Sequence, residues 1–314
     1  MSRAFTFPGQ GSQFVGMGQD LAAAEPAARA IFDEVDAALS ENLSRLMFEG
    51  PEDKLTLTEN AQPALMAVSL AVVRVLEARG TKLDGLASHV AGHSLGEYSA
   101  LAATGALSLA DTARLLRLRG QAMQRAVPVG EGAMAALLGL DYDTAAEIAT
   151  VAAGGDVIAA ANDNAPGQVV LSGVKAAIER AVEIAKEKGA RRAVLLPVSA
   201  PFHCPLMQPA AEEMAEALAD VTINPPALPL VANVTASEVS DPDAIRDLLV
   251  RQVTGAVRWR ESMLRMKAFG VTALIEAGAG KVLTGLARRI DRELEAVSLQ
   301  TPEDIDAFMA SLGN

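Results

Sequence analysis

The sequence predicts an α/β protein in which a mostly parallel sheet, covered by helices, carries an inserted unit with four strands of its own. Short apolar runs, each followed by a glycine-bearing loop and then by helical periodicity, predict the sheet. In the middle of the chain this pattern changes, which predicts the insertion. The apolar runs that we assign to the parallel sheet are 4–7, 86–91, 228–232, 272–276 and 296–299.

The inserted unit lies between the second and third of these runs. Its predicted elements alternate as strand, helix, strand, strand, helix and strand, which is the βαββαβ order of a ferredoxin-like unit. They are strands at 132–140, 157–161, 168–172 and 192–197 and helices at 144–153 and 175–188. We therefore expect a small domain over residues 129–198 inserted into a large domain made of residues 1–128 and 199–314.

Charge and cysteine content limit the class of function. The net charge of −12 disfavours nucleic acid as a partner, because phosphate binding draws on a basic surface. The single cysteine, Cys204, cannot form an internal disulfide and is typical of a reducing compartment. The first residues lack the pattern of a secretory signal, and no run of about 18 apolar, uncharged residues occurs. We expect a cytoplasmic protein that does not enter a membrane.

Ser94 lies in Gly92-His93-Ser94-Leu95-Gly96, which matches the G-x-S-x-G pattern. The predicted strand 86–91 precedes it, and a predicted helix at 95–104 follows. In that context the serine occupies a sharp turn above the sheet, and the larger domain is α/β-hydrolase-like. The alternative is a glycine-rich turn whose serine caps the helix. We interpret Ser94 as a nucleophile.

A serine hydroxyl needs a base, and this chain has three histidines. His89 lies within a predicted buried strand, which favours a structural role. His93 adjoins Ser94, and successive side chains of an extended segment diverge. His203 remains by elimination, although a loop histidine is often only a surface residue. No acid can be assigned as its orienting partner, and a backbone carbonyl could hold the imidazole equally well.

Arg119 is the anomalous charge of a predicted helix at 111–125. Spacing places it on an apolar stripe, whereas Arg114 and Arg117 fall elsewhere and are expected to be solvated. A guanidinium that faces the core needs an anion. One interpretation is an internal salt bridge, or a side chain that extends to solvent. The other is a carboxylate on the substrate, which the planar guanidinium would bind through two N–H groups. The other members of the stripe are Leu115, Leu118 and Ala122.

Short motifs lie at residues 7–13, 92–99, 118–120, 162–168, 202–204 and 276–281. Taken together, these segments resemble the malonyl-CoA:acyl carrier protein transacylases of bacterial fatty-acid synthesis. The similarity runs from residue 4 to about residue 300, with the motifs in the family's order. One departure is Asp163, which lies between two asparagines where an aromatic residue is more usual.

The resemblance implies catalytic roles. Ser94 would take the malonyl group from coenzyme A as an ester, with His203 as general base and then general acid. The backbone N–H groups of Gln10 and Leu95 would form the oxyanion hole. The main-chain carbonyl of Gln252 would orient His203, in place of the acid that the residues alone do not identify.

The resemblance also implies the substrates. Arg119 would bind the free carboxylate of the malonyl group, and the phosphopantetheine thiol of acyl carrier protein would be the acceptor. Phe202 would crowd an α-methyl branch and so disfavour methylmalonyl groups. The coenzyme A thioester is a substrate, so we expect no bound cofactor. We also expect no metal and a monomeric protein. The remaining pocket residues would be Gln62, Met123, Asn162 and Gln168.

Other functions stay open at this point. A free-standing acyltransferase of a polyketide pathway would have the same residues. A serine thioesterase or hydrolase would share the sharp turn at Ser94, the base and the oxyanion hole. A hydrolase of neutral esters, however, has no use for a buried cation. A non-catalytic module that docks carrier proteins would not need Ser94, His203 and Arg119 together.

Overall fold

The computed structural model describes residues 2–312, whose strands form a six-stranded and a four-stranded sheet. The strands of the larger sheet are β1 (Arg3–Phe7), β2 (His89–Gly92), β7 (Leu230–Ala232), β8 (Ser237–Val239), β9 (Ala273–Ala277) and β10 (Glu295–Leu299). The strands of the smaller sheet are β3 (Gly132–Leu138), β4 (Ile158–Ala165), β5 (Gln168–Val174) and β6 (Arg192–Leu195).

Helices cover both sheets. Those outside the smaller sheet's segment are α1 (Gln19–Ala24), α2 (Pro26–Leu39), α3 (Leu43–Glu49), α4 (Glu52–Thr56), α5 (Thr58–Ala78), α6 (Leu83–Leu86), α7 (Leu95–Ala103), α8 (Leu109–Ala126), α11 (Gln208–Ala219), α12 (Pro242–Thr254), α13 (Trp259–Ala268), α14 (Val282–Ile290) and α15 (Pro302–Leu312). The smaller sheet carries α9 (Tyr142–Ala153) and α10 (Lys175–Glu187), and a 3₁₀ turn, Pro205–Met207, precedes α11.

The larger sheet has the order β10-β9-β1-β2-β7-β8 and is parallel except for β8, which runs antiparallel to β7 at one edge. Helices on both faces explain why β1, β2 and β9 are buried almost throughout. The prediction of a mixed α/β fold with a mostly parallel sheet is confirmed. The prediction missed β8, and it extended β2 too far towards the N-terminus because Leu86 ends a short helix.

The smaller sheet is antiparallel, with the order β4-β5-β3-β6. Its elements follow one another as β3, α9, β4, β5, α10 and β6. The two helices pack on the sheet around a separate apolar core. That core includes Leu137, Ile148, Val169, Leu171 and Ile178.

A short bridge connects β4 of the smaller sheet to the segment between α12 and α13. The Asp163 N–H donates to the Val257 carbonyl at 3.0 Å, and the Val257 N–H donates to the Ala161 carbonyl at 2.8 Å. The Asp163 carboxylate is 1% exposed, and its two oxygens share the single N–H of Arg260 Nε at 2.9 and 3.1 Å. The residue that departs from the family pattern therefore fastens β4 to the start of α13.

Helix α5 is long and apolar enough to cross a membrane by length and composition alone. In the folded chain, 83% of its apolar window is buried. It packs against α2, α7 and α8, and it supplies much of the main core. Its apolar character is therefore explained by its position at the centre of the larger unit.

Two glycines permit the sharp turn between β2 and α7. A Cβ on Gly92 would lie 1.9 Å from the Gly96 carbonyl carbon, and one on Gly96 would lie 2.2 Å from the Phe7 carbonyl oxygen. A side chain at Gly92 would clash with the first turn of α7, and one at Gly96 would push the turn away from β1. Ser94, between them, has φ 53° and ψ −110°, which is a strained conformation for a residue with a side chain.

We expect Gly96→Ala to lower the free energy of unfolding by about 3 kcal/mol, because the added methyl group meets backbone that cannot move aside. Gly285→Ala is the matched control. Gly285 lies inside α14 with open space around it, so alanine should raise the free energy of unfolding by about 0.5–1 kcal/mol. Urea unfolding followed by circular dichroism measures both, and equal effects would contradict the steric argument.

Candidate active site

Asn233 holds the turn that presents Ser94. Its Oδ1 accepts from the Ser94 N–H at 2.8 Å, and its Nδ2 donates to the Gly92 carbonyl at 2.7 Å. Asn233 directly follows β7, which neighbours β2 in the sheet. Asn233 was not among the residues predicted from the sequence. A polar side chain at the carboxyl end of a predicted parallel strand was the signal that could have found it.

Ser94, His203 and Gln252 form a hydrogen-bonded chain. Ser94 Oγ lies 2.8 Å from His203 Nε2, and His203 Nδ1 lies 2.9 Å from the main-chain carbonyl oxygen of Gln252. With Nδ1–H donating to that carbonyl, Nε2 is free to accept the serine proton. Burial, and then the positive charge of Arg119, lower the pKa of His203 to about 3. The imidazole is therefore neutral at pH 7.

Arg119 lies beside the serine and is 1% exposed. Its Nη1 donates to Gln62 Oε1 at 2.7 Å, and its Nη2 donates to Ser94 Oγ at 3.0 Å and to Gln252 Oε1 at 2.8 Å. All three acceptors are uncharged. The guanidinium is thus held by neutral groups and keeps a positive charge that a substrate anion can neutralise.

The expectation that Arg117 is solvated is wrong. Its side chain is buried, donates to the Glu59 carbonyl at 2.9 Å and to Glu41 Oε2 at 2.6 Å, and also bonds Asn60. Helix α8 packs against both α2 and α5, so its buried surface is wider than a single stripe. Arg117 stabilises this helix contact and does not line the cavity at Ser94.

A cavity of about 370 Å³ opens onto Ser94 and Arg119. Its walls come from strands β3, β4 and β5 of the smaller sheet, from helices α4, α5, α7 and α8, and from the loops that follow β1, β2 and β6. The predicted pocket residues that line it are Gln62, Met123, Asn162 and Phe202. The expectation that Gln168 faces the pocket is wrong. Gln168 begins β5 at the hairpin turn, where its Oε1 accepts from Arg289 Nη1 at 2.7 Å away from the cavity lining.

Gln10 and Leu95 also line the cavity. Within residues 2–312, neither of their backbone N–H groups donates to a protein acceptor. Leu95 is the first residue of α7, so its N–H is one of the unpaired donors at a helix start. The Gln10 side chain is fixed by a hydrogen bond from Thr58 Oγ1 to its Oε1 at 2.8 Å. These two N–H groups can bind an oxygen atom that develops negative charge.

The other two histidines lie where the sequence analysis expected. His89 is buried in β2, bonds Ser88 and Glu238, and stacks on Phe269. His93 points away from the serine proton. Its Nε2 bonds Asn164 Oδ1 at 2.8 Å, and burial lowers its pKa. Asn164 was not predicted from the sequence, because nothing in the residues around it indicates that β4 packs against the turn between β2 and α7.

Glu97 is a buried acid that was not predicted from the sequence. It is 1% exposed, and its Oε2 accepts from Gln252 Nε2 at 2.6 Å. Burial raises the pKa of Glu97 to about 7, despite the opposing effects of Gln252, Asn233 and Arg119. Its position one turn into α7 behind the nucleophile was its only signal.

Comparison with known proteins identifies the family. Residues 4–299 match the acyl transferase domain family. Relatives named malonyl CoA-acyl carrier protein transacylase include one from Escherichia coli K12, 48% identical with 98% of each chain covered, and one from Bacillus subtilis, 46% identical with 98% of this chain and 96% of the relative covered.

Solved structures agree with this assignment. An acyl-carrier-protein-S-malonyltransferase from Bartonella henselae superposes with a TM-score of 0.98 at 58% identity, with all of both chains covered. A malonyl-transacylase in complex with its type II PKS acyl-carrier protein superposes with a TM-score of 0.96 at 42% identity, covering 99% of this chain and 100% of the other. The chain therefore belongs to the acyl transferase family and, within it, to the malonyl CoA-acyl carrier protein transacylases.

Proposed function

We propose that the chain transfers the malonyl group from malonyl-CoA to the phosphopantetheine thiol of acyl carrier protein through a malonyl-serine ester, and so supplies fatty-acid biosynthesis. The observation that carries the proposal is the convergence on one hydroxyl: Ser94 Oγ contacts the base His203 and the buried cation Arg119 at once. The names of the relatives supply the substrates.

In the first half-reaction, Ser94 Oγ attacks the thioester carbonyl while His203 Nε2 takes its proton. The carbonyl oxygen becomes negatively charged and binds the N–H groups of Gln10 and Leu95. Such a donor is worth about 3 to 4 kcal/mol to the transition state. Collapse of this intermediate breaks the carbon–sulfur bond, and the leaving thiolate takes the proton from His203. Ser94 then holds the malonyl ester, and free coenzyme A departs.

The second half-reaction reverses these steps with a new thiol. The phosphopantetheine thiol gives its proton to His203, and its sulfur attacks the ester carbonyl. The serine oxygen leaves and recovers the proton, which restores the free enzyme. Coenzyme A and the carrier present the same arm, so one cavity serves both halves of a ping-pong cycle.

Arg119 favours a dicarboxylic acyl group over a neutral one. An acyl group without a free carboxylate, such as acetyl, leaves the guanidinium with neutral partners only. A malonyl group brings the compensating carboxylate. The same feature disfavours a hydrolase of neutral esters. Incubation with malonyl-CoA and holo carrier, followed by mass spectrometry of the carrier, tests transfer directly. Release of free malonate without malonyl-carrier would contradict the proposal.

A polyketide pathway is the second candidate. The structural neighbour that was solved with a type II PKS acyl-carrier protein favours it. Transfer rates to a fatty-acid carrier and to a type II polyketide carrier, measured side by side, separate the two. We expect the fatty-acid carrier to be the better acceptor.

We also propose the finer description of the architecture and cellular setting. The strand order β4-β5-β3-β6 and the connections of its elements support a ferredoxin-like subdomain at residues 129–198. The strand–serine–helix turn supports an α/β-hydrolase-like domain over residues 1–128 and 199–314. The active form would be a cytoplasmic monomer that needs neither cofactor nor metal.

Ser94→Ala should lower transfer by about 10⁴- to 10⁶-fold, because the covalent carrier of the acyl group is lost. Intact-mass spectrometry after incubation with malonyl-CoA should show the added malonyl mass on the wild type and not on the variant. Ser99→Ala is the matched control, since this buried serine lies on α7, the helix that Ser94 precedes, outside the cavity lining. A malonyl adduct on Ser94→Ala would overturn the assignment.

Arg119→Ala should weaken the use of malonyl-CoA relative to acetyl-CoA by about 3 kcal/mol, or roughly 150-fold in the ratio of kcat/KM, because a paired buried charge is lost. Arg117→Ala serves as control. It removes a buried guanidinium from the same helix away from the cavity, and it should leave the ratio unchanged. Equal losses on both substrates in Arg119→Ala would mean that Arg119 is only structural.

The pKa of His203, lowered to about 3, predicts the pH dependence of Ser94 reactivity. The neutral base persists down to that pKa, so Ser94 should react with a carboxylate-free fluorophosphonate at rates within about twofold between pH 8 and pH 5. Intact-mass spectrometry of the labelled protein gives the rate. A half-maximal rate near pH 6.5, the value of an unperturbed histidine, would contradict the prediction.

A further inference from the structure

Glu97 lies behind the catalytic residues without lining the cavity. Its carboxylate accepts from Gln252 Nε2 at 2.6 Å, and the same Nε2 donates to the Ser94 carbonyl at 3.0 Å. Both hydrogens of the Gln252 amide are therefore committed to acceptors on α7 and at its start. A carboxamide with both hydrogens fixed has one orientation available.

That orientation decides what Arg119 meets. Gln252 Oε1 must face Arg119, and it accepts from Nη2 at 2.8 Å. If the carboxamide turned over, its NH₂ group would face the guanidinium, and two donors would oppose each other. With Gln62 Oε1 on Nη1, the two carboxamide oxygens set the plane of the guanidinium beside Ser94 Oγ.

We propose that Glu97 is a positioning residue for acyl groups that carry a carboxylate: acting through the side chain of Gln252, it aims Arg119 at the acyl pocket. This inference rests on the proposed function, in which Arg119 binds the malonyl carboxylate. It adds a second route by which Gln252 serves the site, since its main-chain carbonyl already holds His203.

The role of Glu97 does not depend on its titration. Burial raises its pKa to about 7, and in either protonation state one carboxyl oxygen can accept from Gln252 Nε2. The charged and titratable groups that influence it are Arg119 on α8 and Tyr98 on α7. A substitution that keeps an acceptor should therefore keep the function, and one that removes both oxygens should lose it.

Another buried acid provides the matched control. Glu276 is also 1% exposed, and burial also raises its pKa. Its carboxylate caps the start of α14 by accepting from the N–H groups of Leu283 and Thr284 at 3.0 and 2.7 Å, outside the cavity lining. Glu276→Leu removes a buried, hydrogen-bonded carboxylate of equal size without touching Gln252.

The experiment measures kcat and KM for malonyl-CoA and acetyl-CoA, together with urea unfolding. Glu97→Leu should lower the ratio of kcat/KM for malonyl over acetyl by about tenfold or more, mainly through the KM for malonyl-CoA. Glu97→Gln should keep the ratio within about threefold, because its amide oxygen can accept from Gln252. Glu276→Leu should lower stability and leave the ratio unchanged.

Coupling to Arg119 completes the test. In an Arg119→Ala background, Glu97→Leu should cause no further loss of the ratio, because the group that Glu97 aims is gone. An unchanged ratio in Glu97→Leu, or an equal fall in Glu276→Leu, would overturn the inference. If the leucine variant does not fold, Glu97→Met removes both oxygens with a side chain of similar length and is read in the same way.

A separate outcome concerns the proposed function. If the wild-type enzyme itself does not prefer malonyl-CoA to acetyl-CoA, then the proposed function fails before Glu97 is tested. If the wild type prefers malonyl-CoA and Glu97→Leu keeps that preference, then only the inference on Glu97 fails. The two failures are therefore distinguishable in one set of measurements.

Discussion

The buried guanidinium of Arg119 is the constraint on which the rest of the site depends. A cation at 1% exposure is costly unless polar groups surround it, and here they are two carboxamide oxygens and the Ser94 hydroxyl. Each acceptor satisfies hydrogen bonds and leaves the charge in place. A pocket of this kind gains most from a ligand that brings the missing negative charge, which is the physical basis for selecting a malonyl group.

Backbone strain is the second cost that the fold carries. Both members of the proton-transfer pair have positive φ, 53° at Ser94 and 57° at His203. Such conformations persist only where the surroundings fix them, and Asn233, the Gln252 carbonyl and the closely packed glycines do so here. The serine and histidine are thus held for reaction by contacts with parts of the chain that are distant in sequence.

That distance explains what the sequence could and could not predict. Ser94, its flanking strand and helix, and the buried face of Arg119 are local patterns, and the structure places them as those patterns indicate. Asn233 and Glu97 act through partners that only the folded sheet brings together. The predictions for Arg117 and Gln168 are wrong for a related reason. Tertiary packing decides the surroundings of Arg117, and a hairpin turn decides those of Gln168.

Hydrogen bonds link the functional groups into one network around the nucleophile. From Gln10 it passes through Thr58, Gln62 and Arg119 to Gln252, and from there to His203 and back to Ser94. The loop that carries an oxyanion donor, the anion receptor and the base therefore share their supports. Because each member orients the next, the effects of single substitutions should not add. Acyl selectivity and proton transfer are in this sense properties of one polar network.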